Sequence, residues 1–529
     1  MNIQQLTYQQ TGYFSKLMTD YLAENEKLAP FINQPFNLAA FKTLIQQRKE
    51  TKIDRNTLVQ ALENQYKNIA TSDFTKTNIQ LLKNENCFTI TTGHQLNLFT
   101  GPLYFIYKII SAINLAKELK IIYPENDFVP VYWMATEDHD FEEVNHFNLL
   151  GNKINIPKTQ DGAVGRMKLS NVDDVLQEIK TALEGRNGAE QIIDLFQQFY
   201  TSEHTFTEAT RAIVNHLFQK NGLVIIDGDD ASLKKTMLPY FENEILEQQN
   251  VQFVEKTTQQ LTKLGYKSQL TPREINIFYL DEQLRERIVF EENKYKVINT
   301  KLEFSQEQIL EELKNYPEKF SPNVVLRPLY QEIVLPNLAY IGGGGELAYW
   351  FQLKAMFDAN HVFFPMLILR NSVLLVDGGS AKKINKLNLT TPQLFLETEE
   401  LIKTFLKENA SIQLDMNEEE KLLEAVFTKI ANKAVKVDAS LEAMVKAELQ
   451  KNIKSIENIA ARLVKAEKQK EEVAVNQIRS IKDKLFPNGG LQERQDNLSM
   501  LLLFYGEQFI DELFTHLNPL DKKFVVLYD

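Results

Sequence analysis

CFTITTGHQLNLFTGPLYFIYKIISAINLAKELKIIYPENDFVPVYWM, residues 87 to 134, decides the fold. CFTITTG (87–93) is a short run rich in β-branched and aromatic residues that stops at a glycine. GPLYFIYKIISAINLAKEL (101–119) is strongly apolar and has the length of a helix. FVPVYWM (128–134) is a second β-rich run. Strand, loop, helix and strand in one stretch make a βαβ unit, whose crossover leaves its two strands parallel.

Outward from this unit, GLVIID (222–227) predicts another buried strand, with ASLKKTMLPYFENEILE (231–247) as the helix behind it. VFFPMLIL (362–369) and SVLLVD (372–377) predict two more. Residues 1–86 read as helices: Tyr13, Phe14, Leu17, Met18, Tyr21 and Leu22 recur at helical spacing, as do Leu58, Val59, Leu62 and Tyr66 behind a cap at Asp54. Residues 150 to about 215 mix short strands and helices. Residues 268–304, with INIFYLD, RERIVFEE and KYKVINT, form a β-meander inserted in the scheme.

From about 415 the pattern turns helical. Leu449, Ile453, Ile456, Ala460 and Leu463 are spaced as an a/d seam, which resumes at Ala474, Ile478, Ile481 and Leu485 after a stutter. Pro487, Gly489 and Gly490 end it. A helix near 416–434 is placed to fold back on this one, within the chain or against a second copy. Residues 497–516 read as helical, and KKFVVLY (522–528) predicts a last strand returning to the core. The fold class is therefore α/β. The chain divides into a helical N-terminus with the first part of the core (1–149), a mixed insertion (150–215), core (216–267) and a β-meander (268–304). Core with a glycine-rich loop (305–390), a helical coiled-coil domain (391–496) and a C-terminal return (497–529) follow.

A chain of 529 residues exceeds what one hydrophobic core supports, so several subdomains are expected. Hydrophobic residues at 43% and charged residues at 25% exclude wholesale disorder. A net charge of −12 argues against a general nucleic-acid binder. The single cysteine, Cys87, forms no internal disulfide and no CxxC site. MNIQQLTYQQTGYF lacks the pattern of a secretory signal, and no apolar run approaches the roughly 20 residues that span a bilayer. A cytoplasmic protein with no membrane partner is expected.

Three stretches offer chemistry. In TTGHQLNLFTGPLYFIYK (91–108) a strand ends at Gly93, and a helix opens near Thr100, Gly101 and Pro102. Free amides at a helix start after a parallel strand attract anions, and His94 at that edge is placed to donate to a phosphate or a developing charge. A plain glycine turn would carry the same residues. In PVYWMATEDHDFEEVNHF (130–147), Glu137, Asp138, His139, Asp140, Glu142, Glu143 and His146 crowd just past a strand end. Such a cluster serves as a general base for an amine, as a metal site, or as a solvated helix start. The His139–His146 spacing is not that of a helical zinc pair, so no metal ligands are assigned. In SPNVVLRPLYQEIVLPNLAYIGGGGELAYWFQLK (321–354), the glycines 342–345 permit a nest of amides for an anion, with Arg327, Gln331 and Glu346 as polar partners. Arg370 is a weaker candidate for an anion contact.

Across TGHQ…TGPLYFIYKII, WMATEDHDFEEVNH, GLVIIDGDD, NVVLRPLYQE, IGGGGELAYW and VDASLE, the sequence resembles the BshC family, the cysteine ligases of bacillithiol biosynthesis. Two positions depart from the family pattern, which has Gln in place of His94 and Pro in place of Gly344. The resemblance implies a Rossmann-like core with connecting-peptide insertions and a C-terminal coiled coil that supports a homodimer. It implies a ligase that joins L-cysteine to the amine of glucosaminyl-malate, with ATP or another adenine nucleotide as cosubstrate and an open metal requirement. On this reading Asp138, His139, Asp140 and His94 are catalytic. Gly93, Gln95, Asn97, Thr100, Gly101, Glu137, Arg327, Gln331, Gly343, Gly344, Gly345, Glu346 and Arg370 bind substrate or nucleotide. Another amide-forming ligase or nucleotidyltransferase, or a coiled-coil scaffold without catalysis, are the competing readings.

Overall fold

The computed structural model describes residues 2–410 and 416–529. Its centre is a five-stranded parallel sheet: β1 (Cys87–His94), β2 (Asp127–Met134), β3 (Val224–Asp227), β4 (Asn337–Gly342) and β5 (Met366–Leu369). The spatial order is β5-β4-β1-β2-β3, all neighbours parallel. This is the doubly wound order, with the direction of strand addition reversing between β1 and β4. The strands are buried on both faces, which is why they read as unbroken apolar runs.

Helix α1 (Tyr104–Ile122) crosses from β1 to β2 and is buried nearly all round. One flank meets the sheet. On the other, Asn114 donates to the carbonyls of Phe514 and Leu517 at 2.9 and 2.6 Å. Each fully buried Ile, Leu or Phe on it contributes about 1.5–3 kcal/mol. Helices α2 (Leu326–Val334) and α3 (Gly344–Ala359) flank β4.

The predicted meander is an antiparallel sheet of Ile277–Asp281, Leu284–Glu291, Lys294–Val297 and Glu303–Phe304, joined by Phe320–Pro322. Two expectations are corrected. The N-terminus is not all helix: Asn2–Thr7 is a strand, antiparallel to Lys523–Tyr528. Only Leu6 of it is buried, so its conformation comes from pairing with the far end of the chain and leaves no local signal. Lys523–Tyr528 and Val373–Val376 do not join the core sheet. They pair in parallel with each other and, with Asn2–Thr7, make a separate three-stranded sheet.

The predicted helical onset near 415 lies outside the described residues. Helix α4 (Asn417–Val437) turns at Asp438–Ser440 and packs against α5 (Leu441–Lys470), and α6 (Glu472–Leu485) returns to the body. The seam residues Leu449, Ile453, Ile456, Ala460 and Leu463 are half-buried. Leu422, Val426, Ile430 and Val437 on α4 face solvent.

Candidate functional site

The threonines that end β1 build the rim. Thr89 and Thr91 donate to Oδ1 of Asn337 at 3.2 and 2.8 Å, and Thr92 donates to the Ile341 carbonyl at 2.8 Å. They fix β1 against β4 where the switch point opens. At Gly93 a Cβ would sit 2.9 Å from the Tyr340 hydroxyl and 3.4 Å from Arg327 Nη1, so any side chain there would have to displace the Tyr340 hydroxyl. Lys108, on the first turns of α1, donates to the Gly93 carbonyl and pairs with Glu346 at 2.7 Å. Glu346 also accepts from the Tyr340 hydroxyl and from the Gly343 amide, the latter at 3.2 Å. Burial pushes the Glu346 carboxyl up, but Lys108, Tyr340 and Arg327 outweigh it and hold the group below the ordinary range. Arg327 Nη2 donates to Tyr349 at 3.1 Å and Nη1 to Gln331 at 3.4 Å.

His94 stacks on Phe105, with ring centroids 4.8 Å apart, and meets Tyr104 edge-on. Among the described residues its Nε2 is buried without a hydrogen-bond partner. Burial, with Lys108 and Arg370 close by, pushes its pKa well below the ordinary value and keeps the ring neutral.

From His94 the rim runs directly into the acidic stretch. Gln95 Nε2 donates to Asp138 Oδ2 and to Glu143 Oε2, each at 2.7 Å. Asp138 Oδ1 accepts from the amides of His139 and Asp140 at 2.7 and 3.3 Å. Burial opposes its ionisation, but Arg285, Gln95 and those amides hold its carboxyl below the usual range. The Asp140 side chain makes no hydrogen bond among the described residues. A cavity of about 460 Å³ opens here, lined by Asp138, His139, Asp140, Glu142, Glu143 and Lys158. The three stretches picked from the sequence thus share one rim at the carboxyl ends of β1, β2 and β4. Among the described residues, no group of three or more His, Cys, Asp or Glu side chains is arranged to hold a metal ion.

Comparison with known proteins agrees with this architecture. Residues 1–371 match the family described as "Bacillithiol biosynthesis BshC, N-terminal Rossmann-like domain", and residues 373–528 match its "C-terminal coiled-coil domain". The chain belongs to the BshC family. A relative from Flavobacterium johnsoniae is 47% identical over 99% of both chains. One from Flavobacterium psychrophilum is 46% identical over 99% of this chain and 98% of its own. One from Bacillus thuringiensis is 28% identical over 97% of each. All three are named "Putative cysteine ligase BshC".

Several expected binders sit elsewhere. Thr100 and Gly101 do not open a helix into the cleft. They lie in a tight turn with positive φ at Phe99, Thr100 and Gly101, under the segment at 496–497. Asn497 donates to the Phe99 and Gly101 carbonyls at 2.7 and 2.6 Å, and the Leu103 amide donates to Asp496. Asn97 is buried and donates to the Glu143 carbonyl at 3.2 Å. Glu137 points inward to the fully buried Lys234 at 2.7 Å, which also pairs with Asp229 at 2.9 Å. Arg370 spends both terminal nitrogens on protein partners, with Nη2 2.7 Å from Glu493 and Nη1 on Asn371 and Ser372. Among the described residues its Nε has no partner, and it lies against Gly343. Gly342–Gly345 form a helix start with no positive φ, not a nest.

Sequence reasoning missed Lys108, Arg285, Tyr340 and the network in which Lys234 and Arg166 both pair with Asp229, Arg166 at 2.7 Å. Lys108 had a signal, as the one charge between Gly101 and Leu115 in an apolar helix. Arg285 had none, because nothing local tells which residue of a meander turns toward a distant loop.

Proposed function

We propose that this cleft joins the carboxyl group of L-cysteine to the amine of glucosaminyl-malate, the cysteine-adding step of bacillithiol synthesis, with ATP as cosubstrate. That the chain is a ligase follows from its family. The observation that carries the finer reading is the shared rim. Lys108 ties the end of β1 to Glu346 on α3, while Gln95 ties the same strand end to Asp138. One side of the cleft is cationic and amide-rich, and the other is carboxylate-rich.

A carboxylate is a poor electrophile, and ATP would supply its activation. The residues beside α3 suit a phosphate-bearing group: among the described residues His94 Nε2 and Arg370 Nε are buried without a hydrogen-bond partner, and the first-turn amides of α3 have no partner within the helix. Asp140, Glu142 and Glu143 attract the substrate amine in its ammonium form. Asp138 is committed by three hydrogen bonds, so Asp140 takes the amine's proton. A free thiol amino acid and a nucleotide place the reaction in the cytoplasm, where thiols stay reduced.

The helical arm is proposed to pair two copies of the chain through the exposed Leu422, Val426, Ile430 and Val437 stripe. Sedimentation of the wild type and of Leu422→Glu/Val426→Glu tests this, and a dimer unaffected by the changes rules out that face. For the reaction, ATP–pyrophosphate exchange across a panel of amino acids should be stimulated by cysteine and not by serine. Exchange driven by a different carboxylic acid would replace cysteine in the proposal, and favour another amide-forming ligase or nucleotidyltransferase.

A further inference from the structure

The inserted antiparallel sheet reaches the acidic stretch through Arg285 and Phe278. Arg285, on the strand Leu284–Glu291, lies with its guanidinium carbon 4.0 Å from the centre of the Phe278 ring and its Nε 3.4 Å from the Ser321 hydroxyl. Its Nη1 is 2.5 Å from Nδ1 of His139. A guanidinium has only donors, no acceptor, and does not give up its proton in a protein. The nitrogen it meets is therefore the one with the lone pair, and the single ring proton of His139 sits on Nε2. A protonated imidazole would set one N–H directly against another.

The groups facing the ring pull in both directions. Asp138, 3.9 Å from Nδ1, together with Asp140 and Glu286 favours the charged form. Partial burial and Arg285 favour the neutral form and prevail, so the pKa falls below the ordinary histidine value. Phe278 stands 5.5 Å from the ring. Nε2 has no hydrogen bond among the described residues, and His139 lines the cavity beside Asp140.

We infer that Arg285 is a positioning residue for His139: by donating to Nδ1 it fixes the neutral Nε2–H tautomer, so His139 meets the substrate as a hydrogen-bond donor and not as a base. This deepens the ligase reading and rests on it for what Nε2–H meets, an oxygen of the amine-bearing substrate. It also separates two neighbours that look equivalent in the sequence. His139 orients, and Asp140 accepts the proton.

Full-length protein with nitrogen-15-labelled histidine, its signal assigned by loss in His139→Gln, shows by nitrogen NMR which ring nitrogen holds the proton. The wild type should show Nε2 protonated and Nδ1 bare across neutral pH. In Arg285→Met the preference should vanish, and the titration midpoint should rise by about one unit as Asp138 and Asp140 dominate. Arg285→Lys, which keeps a donor, should restore part of the wild-type pattern. A wild-type proton on Nδ1, or a ring indistinguishable between the wild type and Arg285→Met, overturns the inference. If Arg285→Met does not fold, the wild-type spectrum decides alone. These spectra need no turnover, so a wild type that makes no thiol product counts against the ligase reading and leaves the tautomer result standing.

Discussion

Lys108 and Glu346 meet at 2.7 Å where water barely reaches, the ammonium side chain being 3% exposed and the carboxylate side chain 20%. The two residues come from helices that follow neighbouring strands, α1 after β1 and α3 after β4. Their pair therefore bridges the switch point of the sheet. Removing one partner leaves the other charge buried alone. Lys108→Met should cost about 3–5 kcal/mol, read from urea unfolding. Adding Glu346→Gln should recover part of that loss, with a coupling of about 1 kcal/mol or more. Strict additivity would show that the two do not act as a unit.

Asp140 is exposed with its carboxylate uncommitted, whereas Asp138 is held by Gln95 and two amides. Asp140→Asn should lower kcat for amide formation by about 100-fold or more while leaving cysteine-dependent pyrophosphate exchange intact. Equal loss in both assays would assign Asp140 to activation and not to the amine.

Glu332 supplies a pH dependence. It is fully buried, accepts from Gln331 and Asn337 at 2.8 and 2.9 Å, and has its pKa pushed by burial to about 7. The folded state thus holds this proton more tightly than the unfolded chain, whose carboxyl has the ordinary value of 4.5. Its contribution is fully present below that value and is lost as pH rises through about 7. Glu332→Gln removes the titration, so the variant should gain stability relative to the wild type between pH 5 and pH 8. A constant difference in unfolding free energy across that window would contradict it.

Gly344 opens α3 at its first helical position, and Gly343 before it is extended at φ −76, ψ 163. Both conformations suit a proline at 344. Gly344→Pro should stabilise by about 0.4–1 kcal/mol through the unfolded chain. Met18, whose Cγ would lie 3.2 Å from the new Cβ, is flexible enough to yield. A lowered Tm would show that Met18 cannot move.

The parallel core was legible because its strands are buried on both faces and its first crossover is one apolar helix. The same logic failed for Asn2–Thr7, where long-range pairing alone makes the strand. At the site, Gly93, Asp138 and Glu346 could be read to the rim because glycines and carboxylates at strand ends stand out in a sequence. Thr100 and Gly101 were misplaced because the segment at 496–497 that covers them is remote in the chain. Glu137 and Asp138 are adjacent yet face opposite ways, one into the Lys234 network and one onto the rim, and no composition rule separates them.

One cleft is proposed to activate cysteine and deliver it to a sugar amine. One reaction of purified protein with L-cysteine, glucosaminyl-malate and ATP, followed by mass spectrometry, tests it. The thiol product should appear with AMP in equal amount, and both should fall together in Lys108→Met. Nucleotide consumed with no thiol formed, or thiol formed without any nucleotide consumed, would contradict it.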